Sequence, residues 1–326
     1  MKNLNISRLQ SGGLITTYRC TSRCRHCLYA CSPRWSRHYM DPKTAAENLR
    51  IMKSLGCSSL HIGGGEPFTD IAALEAVMRV AAAEQVAVEY IETNSSWFRG
   101  EESAVEILHS LKAYGLDMLL VSISPYHNEF IPFRHVKGVI SACRKAGLSV
   151  YPWVQGFYAD LDALEDGRPH SLEEYGTHFG QDYPDRIPQR YWIHPGGRAL
   201  SLGRHHPSLS LERIVNTPYG CSELADTTHF HPYPFGNYIP ALCSGLAIRA
   251  SDLRRPLREQ EYPIINTLYR EGMGGLLKIA SEEYGFRADE EYASKCHLCL
   301  QIRQFLVLEK GMVSRELQPG EFYRNL

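Results

Sequence analysis

Short apolar runs alternate with longer stretches of helical period through the first two hundred residues. The strand pattern falls at 14–17, 58–62, 87–92, 118–124, 149–154 and 191–193. Between these runs, DPKTAAENLRIMKSLG opens with Asp41 as a cap and Pro42 at the first helical position, and it closes at Gly56. The stretches AALEAVMRVAAAEQ, EESAVEILHSLKAYG and RHVKGVISACRKAG repeat that pattern. Such alternation predicts parallel βα units, and six of them predict an α/β fold built as an open, partial (β/α)6 barrel. Ligands in these folds gather at the C-terminal ends of the strands.

Beyond Leu200 the texture changes. HFHPYPFGNYIPALCSG is rich in aromatic residues, Pro and Gly, and Gly236 and Asn237 predict a hairpin turn. Helical patterns follow at 263–283 and 288–307, the second enclosing KCHLC. This predicts a barrel domain over 1–200 and a small α+β domain over 201–326.

The chain has 326 residues, 44% of them hydrophobic, enough for a large core. No apolar run approaches a bilayer span, and the first residues lack the apolar stretch of a secretory signal. The expectation is a soluble, cytoplasmic protein with no membrane contact. A formal net charge of −1 argues against a nucleic-acid binder with a broad basic face. The first forty residues nevertheless carry Lys2, Arg8, Arg19, Arg23, Arg25, Arg34 and Arg37 and no acid. They form either a solvated basic loop or a collar for an anionic substrate or an acidic electron donor.

Ten cysteines without a secretory signal point to metal or redox chemistry. Cys57 and Cys143 lie in helix-like surroundings and read as small buried hydrophobes. Cys20, Cys24 and Cys27 follow the first strand, in the first βα loop. Three thiolates there can ligate three irons of a cubane cluster and leave the fourth open, or bind zinc together with His26 or Cys31.

The C-x3-C-x2-C spacing, together with IGGGEPF after the second strand, ETN after the third and SIS after the fourth, resembles the radical S-adenosylmethionine superfamily. The resemblance implies a [4Fe–4S] cluster on Cys20, Cys24 and Cys27 whose open iron is chelated by S-adenosylmethionine. It implies that His26 contacts the adenine. It assigns Gly63, Gly64, Gly65, Glu66 and Pro67 to the methionine ammonium, and Thr93, Asn94, Ser122 and Ser124 to the ribose and carboxylate. Cys31 is then structural or incidental.

Cys221, Cys243, Cys296 and Cys299 make a second set of four thiols. Their layout resembles the twitch extension, a shortened SPASM domain, and implies an auxiliary [4Fe–4S] cluster; a structural zinc fits the same four thiolates. His229 and His231 read as aromatic packing, or as ligands or substrate contacts. CRHCLYACSP and CHLC resemble radical peptide epimerases, although Cys243 is followed by Ser244 where those enzymes place a hydrogen-donating thiol. The implied activity is reductive cleavage of S-adenosylmethionine and hydrogen abstraction from a substrate. That substrate is a peptide, to be oxidised, cross-linked or epimerised, or alternatively a small polar metabolite such as a sugar or aminoglycoside. A reductant such as flavodoxin or ferredoxin is implied as partner. The alternative from another class is a non-catalytic iron–sulfur or zinc redox protein.

Overall fold

The computed structural model describes residues 2–205 and 208–326. Five strands, β1 (Gly13–Thr17), β2 (Ser59–Gly64), β3 (Ala87–Thr93), β4 (Met118–Ser122) and β5 (Ser149–Trp153), pair in parallel in the order of the chain. Helices α1 (Pro42–Ser54), α2 (Ile71–Ala83) and α3 (Glu101–Lys112), then a helix over Phe133–Ala146, supply the crossovers. Every residue of β1 is buried, as a strand covered on both faces requires. α1 starts where expected: the Asp41 side chain accepts from the backbone N–H groups of Lys43 and Thr44, and Pro42 occupies the first turn.

The fold is therefore the predicted α/β class, with a parallel sheet consistent with a partial barrel. The sixth strand does not form: among the described residues, 191–193 join no ladder. The run is too short to pair before Pro195 and the Gly196–Gly197 turn. Tyr191 and Ile193 instead pack on the helix-covered core, while Trp192 stays 69% exposed. Among the described residues, β5 consequently keeps one edge without a strand partner.

Downstream, the predicted hairpin forms between His231–Tyr233 and Asn237–Ile239, and Ile248–Arg249 adds a third strand. A long helix spans Pro263–Tyr284 and breaks at Gly272, where φ is 65°. The last long helix runs over Lys295–Leu308, seven residues later than the start of its pattern, because the short strand Glu291–Tyr292 pairs with Leu209–Ser210. One hydrophobic core is shared by distant parts of the chain. Leu4, Ile6 and Leu9 pack with Tyr238, Tyr262 and Leu268. Asn266 and Arg254 take up the backbone groups of Leu4 and Ile6. No helix is long and apolar enough to cross a membrane among the described residues.

Candidate functional site

The loop after β1 is shaped by its own backbone. Cys20 N–H donates to Ser32 O at 3.2 Å and closes the loop, while Cys27 N–H donates to Cys24 O at 3.2 Å. A buried cation holds it from below. Arg198, 6% exposed, donates from Nε to Cys24 O at 3.0 Å, from Nη2 to Cys31 O at 2.7 Å and from Nη1 to Asn325 O at 3.1 Å. Its own N–H reaches Cys27 O at 3.1 Å, and Gly197 lies so close that a Cβ there would sit 2.2 Å from Leu28 O. Nothing in the local pattern around Arg198 marked it for this work.

The glycine run after β2 packs backbone to backbone on the same loop. Gly65 N–H donates to Thr17 O and Glu66 N–H to Arg19 O, and a Cβ on Gly65 would stand 2.1 Å from Arg19 O. A Cβ on Gly64, whose φ is 119°, would stand 2.6 Å from Thr17 O. Contact at both positions, and backbone conformation at Gly64, exclude side chains there.

Cys20, Cys24 and Cys27 line one cavity of about 500 Å³ with His26, Gly64, Gly65, Thr93, Asn94 and Ser122. Gly63, Glu66, Pro67 and Ser124 stand outside that lining. Glu66 is fully buried and ties strand ends together, accepting from Phe68 N, Thr93 Oγ1 and, at 2.7 Å, Asn94 N. Burial pushes its carboxyl up to about 7 despite these bonds. Asn94 turns its amide toward the loop, reaching Cys20 Sγ at 3.4 Å and Thr21 Oγ1 at 3.1 Å. Ser124 bonds His127 Nδ1 at 2.8 Å.

His26 sits in an aromatic cage that the motifs alone did not reveal. Its ring lies 4.8 Å from His127, 5.2 Å from Tyr126 and 6.2 Å from Tyr191, and its buried Nδ1 lacks a hydrogen-bond partner. The clue was present in SPYHNEF, directly after β4.

All ten cysteines are free thiols. Burial pushes Cys20 up to about 12 and Cys24 well above an ordinary thiol, while Cys27 is lowered because the Cys31 thiol hydrogen-bonds it. Arg198 favours the thiolate at each of these positions. Two buried thiols that ionise only against added positive charge, a third already lowered, and a cation beneath them suit a metal cluster. The donor set fits a three-cysteine [4Fe–4S] cluster.

The second set also converges. Cys221, Cys243, Cys296 and Cys299 line a cavity of about 620 Å³ with Glu223, Lys295 and Arg303. The break at Gly272 lets the Cys221 loop approach its helix, and Leu268 O accepts Cys221 N–H at 2.7 Å. Cys296 and Cys299 share one face of the first turn after the Ser294 cap. Burial pushes Cys243 up to about 12 and Cys296 to about 11. The two cavities share Trp192, His194, His229 and Leu242 in their walls.

Residues 14–159 match the profile described as the Radical SAM superfamily. No curated protein matches the sequence. Among solved structures, the chain is similar to Streptococcus suis SuiB bound to S-adenosylmethionine, at 15% identity over 83% of this chain and 68% of that one, TM-score 0.38. It is similar to BtrN in complex with AdoMet and 2-DOIA, at 14% identity over 84% and 91%, TM-score 0.45. A third similar structure is native anSMEcpe with bound AdoMet and Cp18Cys peptide, at 13% identity over 71% and 74%, TM-score 0.37.

Proposed function

Because residues 14–159 form a radical SAM superfamily domain and the chain is an enzyme of that class, we propose that it cleaves S-adenosylmethionine reductively and takes a hydrogen from a peptide. When bound, the cluster and S-adenosylmethionine supply one-electron chemistry that generates a hydrogen-abstracting radical. Cys20, Cys24 and Cys27 would hold that cluster. The single cavity in which these thiols meet Gly64, Gly65, Thr93, Asn94 and Ser122 carries the proposal. His26, with His127, Tyr126 and Tyr191 around it, offers a stacking site for a purine, and the glycines admit a ligand close to the backbone.

The peptide reading draws on the adjoining cavity. An extended chain can occupy both spaces at once, with Trp153, Trp192 and Tyr219 exposed along the way for its side chains. The second reading, a small polar metabolite such as a sugar or aminoglycoside, is favoured by the polar wall of Glu92, His229 and His231. Candidate peptides and aminoglycosides, each incubated with reduced enzyme and S-adenosylmethionine, separate the two. A peptide that loses a hydrogen pair, or gains deuterium from heavy water, supports the first; turnover of the aminoglycoside alone overturns it.

The twitch-like region over 201–326 would carry a second [4Fe–4S] cluster on Cys221, Cys243, Cys296 and Cys299. Cys296→Ala should lower iron after anaerobic reconstitution by about four per chain while uncoupled deoxyadenosine formation persists. Unchanged iron with a fall in zinc would assign these thiols to zinc instead.

Electron delivery would use the basic face near the first loop. Arg19, Arg23 and Arg25 are engaged with Trp35 O, Leu326 O and Glu129, whereas Arg34 and Arg37 are exposed. Neutralising both, as Arg34→Gln with Arg37→Gln, should slow reduction by an acidic flavodoxin or ferredoxin, most at low salt, and leave reduction by dithionite unchanged. Equal loss with both reductants would point to a damaged loop.

A further inference from the structure

Two neighbouring strands and one hairpin bring three imidazoles and a carboxylate to one point of the sheet. His61 projects from β2 and Glu92 from β3. His229 and His231 come from the segment entering the hairpin, at the i, i+2 spacing that an extended chain directs to one face. His61 Nε2 and His231 Nε2 are 3.2 Å apart, and one nitrogen from each of the three rings lies within 4.8 Å of the others. Glu92 Oε1 is 3.8 Å from His61 Nε2. Ligand atoms held about 2.0–2.1 Å from a tetrahedral ion stand roughly 3.3–3.4 Å from one another, so His61 and His231 are already at ligating separation, while Glu92 lies slightly farther out and closes in by a small side-chain movement. A turn of the half-buried His229 ring closes the remainder.

The surroundings are built to admit these groups. A Cβ at Gly13 would lie 2.1 Å from His61 Nε2, and one at Gly63 would lie 2.5 Å from a Glu92 carboxylate oxygen. Glycine at both positions therefore leaves the ring and the carboxylate their places. One stretch of β1 backbone fixes both histidine-bearing segments: Gly12 O accepts His61 N–H at 3.1 Å, and Gly13 N–H donates to Phe230 O at 2.8 Å. The Tyr90 ring stacks on His61 at 5.0 Å with 6° between planes. The Tyr29 hydroxyl lies 2.9 Å from His231 Nδ1, the kind of outer contact that sets the orientation of a ligating imidazole.

We propose that His61, His229 and His231, with Glu92, bind one zinc-class divalent transition-metal ion, at a centre distinct from both cysteine sites. Three imidazoles and one carboxylate are donors for zinc, iron, cobalt or nickel in preference to magnesium or calcium. Glu92, His229 and His231 line the cavity that holds Cys20, Cys24 and Cys27, so the ion faces the substrate space. There it is placed to take an oxygen or nitrogen of the substrate.

The test uses the full chain with its cysteine sites loaded with iron and sulfide, then given one equivalent of zinc. Zinc per chain is read by mass spectrometry and its neighbours by zinc X-ray absorption. One zinc with a nitrogen and oxygen shell at about 2.0–2.1 Å is expected. His231→Gln should weaken its retention about tenfold or more, and so should His229→Gln, whose half-buried ring can be replaced without emptying the core. Cys296→Ala should leave this zinc in place. Zinc surrounded by sulfur at about 2.3 Å, equal zinc in wild type and both histidine variants, or none retained by wild type would each overturn the proposal. Deoxyadenosine formation, measured on the same wild-type sample before zinc is added, reports on the radical reading separately.

Discussion

Cys24→Ala should reduce deoxyadenosine formation to that of an enzyme-free blank and remove about four irons per chain after reconstitution. The reasoning is local. Cys24 lines the cavity together with Cys20, Cys27 and Cys31, the glycine run and the β3 and β4 strand ends. Cys31 is the other thiol there that could substitute, yet it is 2% exposed, packed in the core with Tyr18 and Trp35, and engaged by a side-chain hydrogen bond with Cys27. Deoxyadenosine at the wild-type level from this variant would exclude Cys24 as a ligand. Iron content distinguishes a lost cluster from a lost fold when read beside circular dichroism.

Arg198→Met should be the most damaging substitution outside the cysteines. Methionine keeps much of the bulk but strands two carbonyl oxygens, on Cys31 and Asn325, and leaves that of Cys24 with the Cys27 N–H alone. Each buried acceptor left without a partner costs about 1–3 kcal/mol, so the variant should lose about 2 kcal/mol or more in denaturant unfolding. It should also shed iron faster to a chelator, because the thiolates lose the cation that favours them. Arg198→Lys should restore part of the iron retention, since it returns the charge without the fork. Stability and iron retention equal to wild type in Arg198→Met would show that the loop holds itself.

How much of this was legible in the sequence follows from the range of each interaction. The first five strands and the helices between them were set by patterns a dozen residues long, and they form within a few residues of where those patterns lie. The first cysteine set was legible because its spacing lies within one loop and constrains the thiols directly, and Cys296 and Cys299 because they share the first turn of one helix. Tyr191–Trp192–Ile193 alternates like a strand, but pairing needs a partner edge, and three residues ahead of Pro195 do not reach one. Glu66, Asn94 and Ser124 were expected to face S-adenosylmethionine; Asn94 lines the cavity, and the polar atoms of the three also bond the strand ends, the loop and His127. Arg198 and the grouping of His61 with His229 and His231 were out of reach, since each depends on residues far apart in sequence meeting across the fold.

The loop of Cys20–Cys31 is completed by Arg198 and by Asn325, which also takes the Ser32 hydroxyl at 2.8 Å. During synthesis the thiols leave the ribosome long before those residues exist. The nascent loop lacks its cation until Arg198 has been made and its Asn325 contacts until residue 325 has been made, so iron and sulfide would meet no finished cradle before then. A cluster held on this loop would be loaded only after the segment carrying residue 325 has docked.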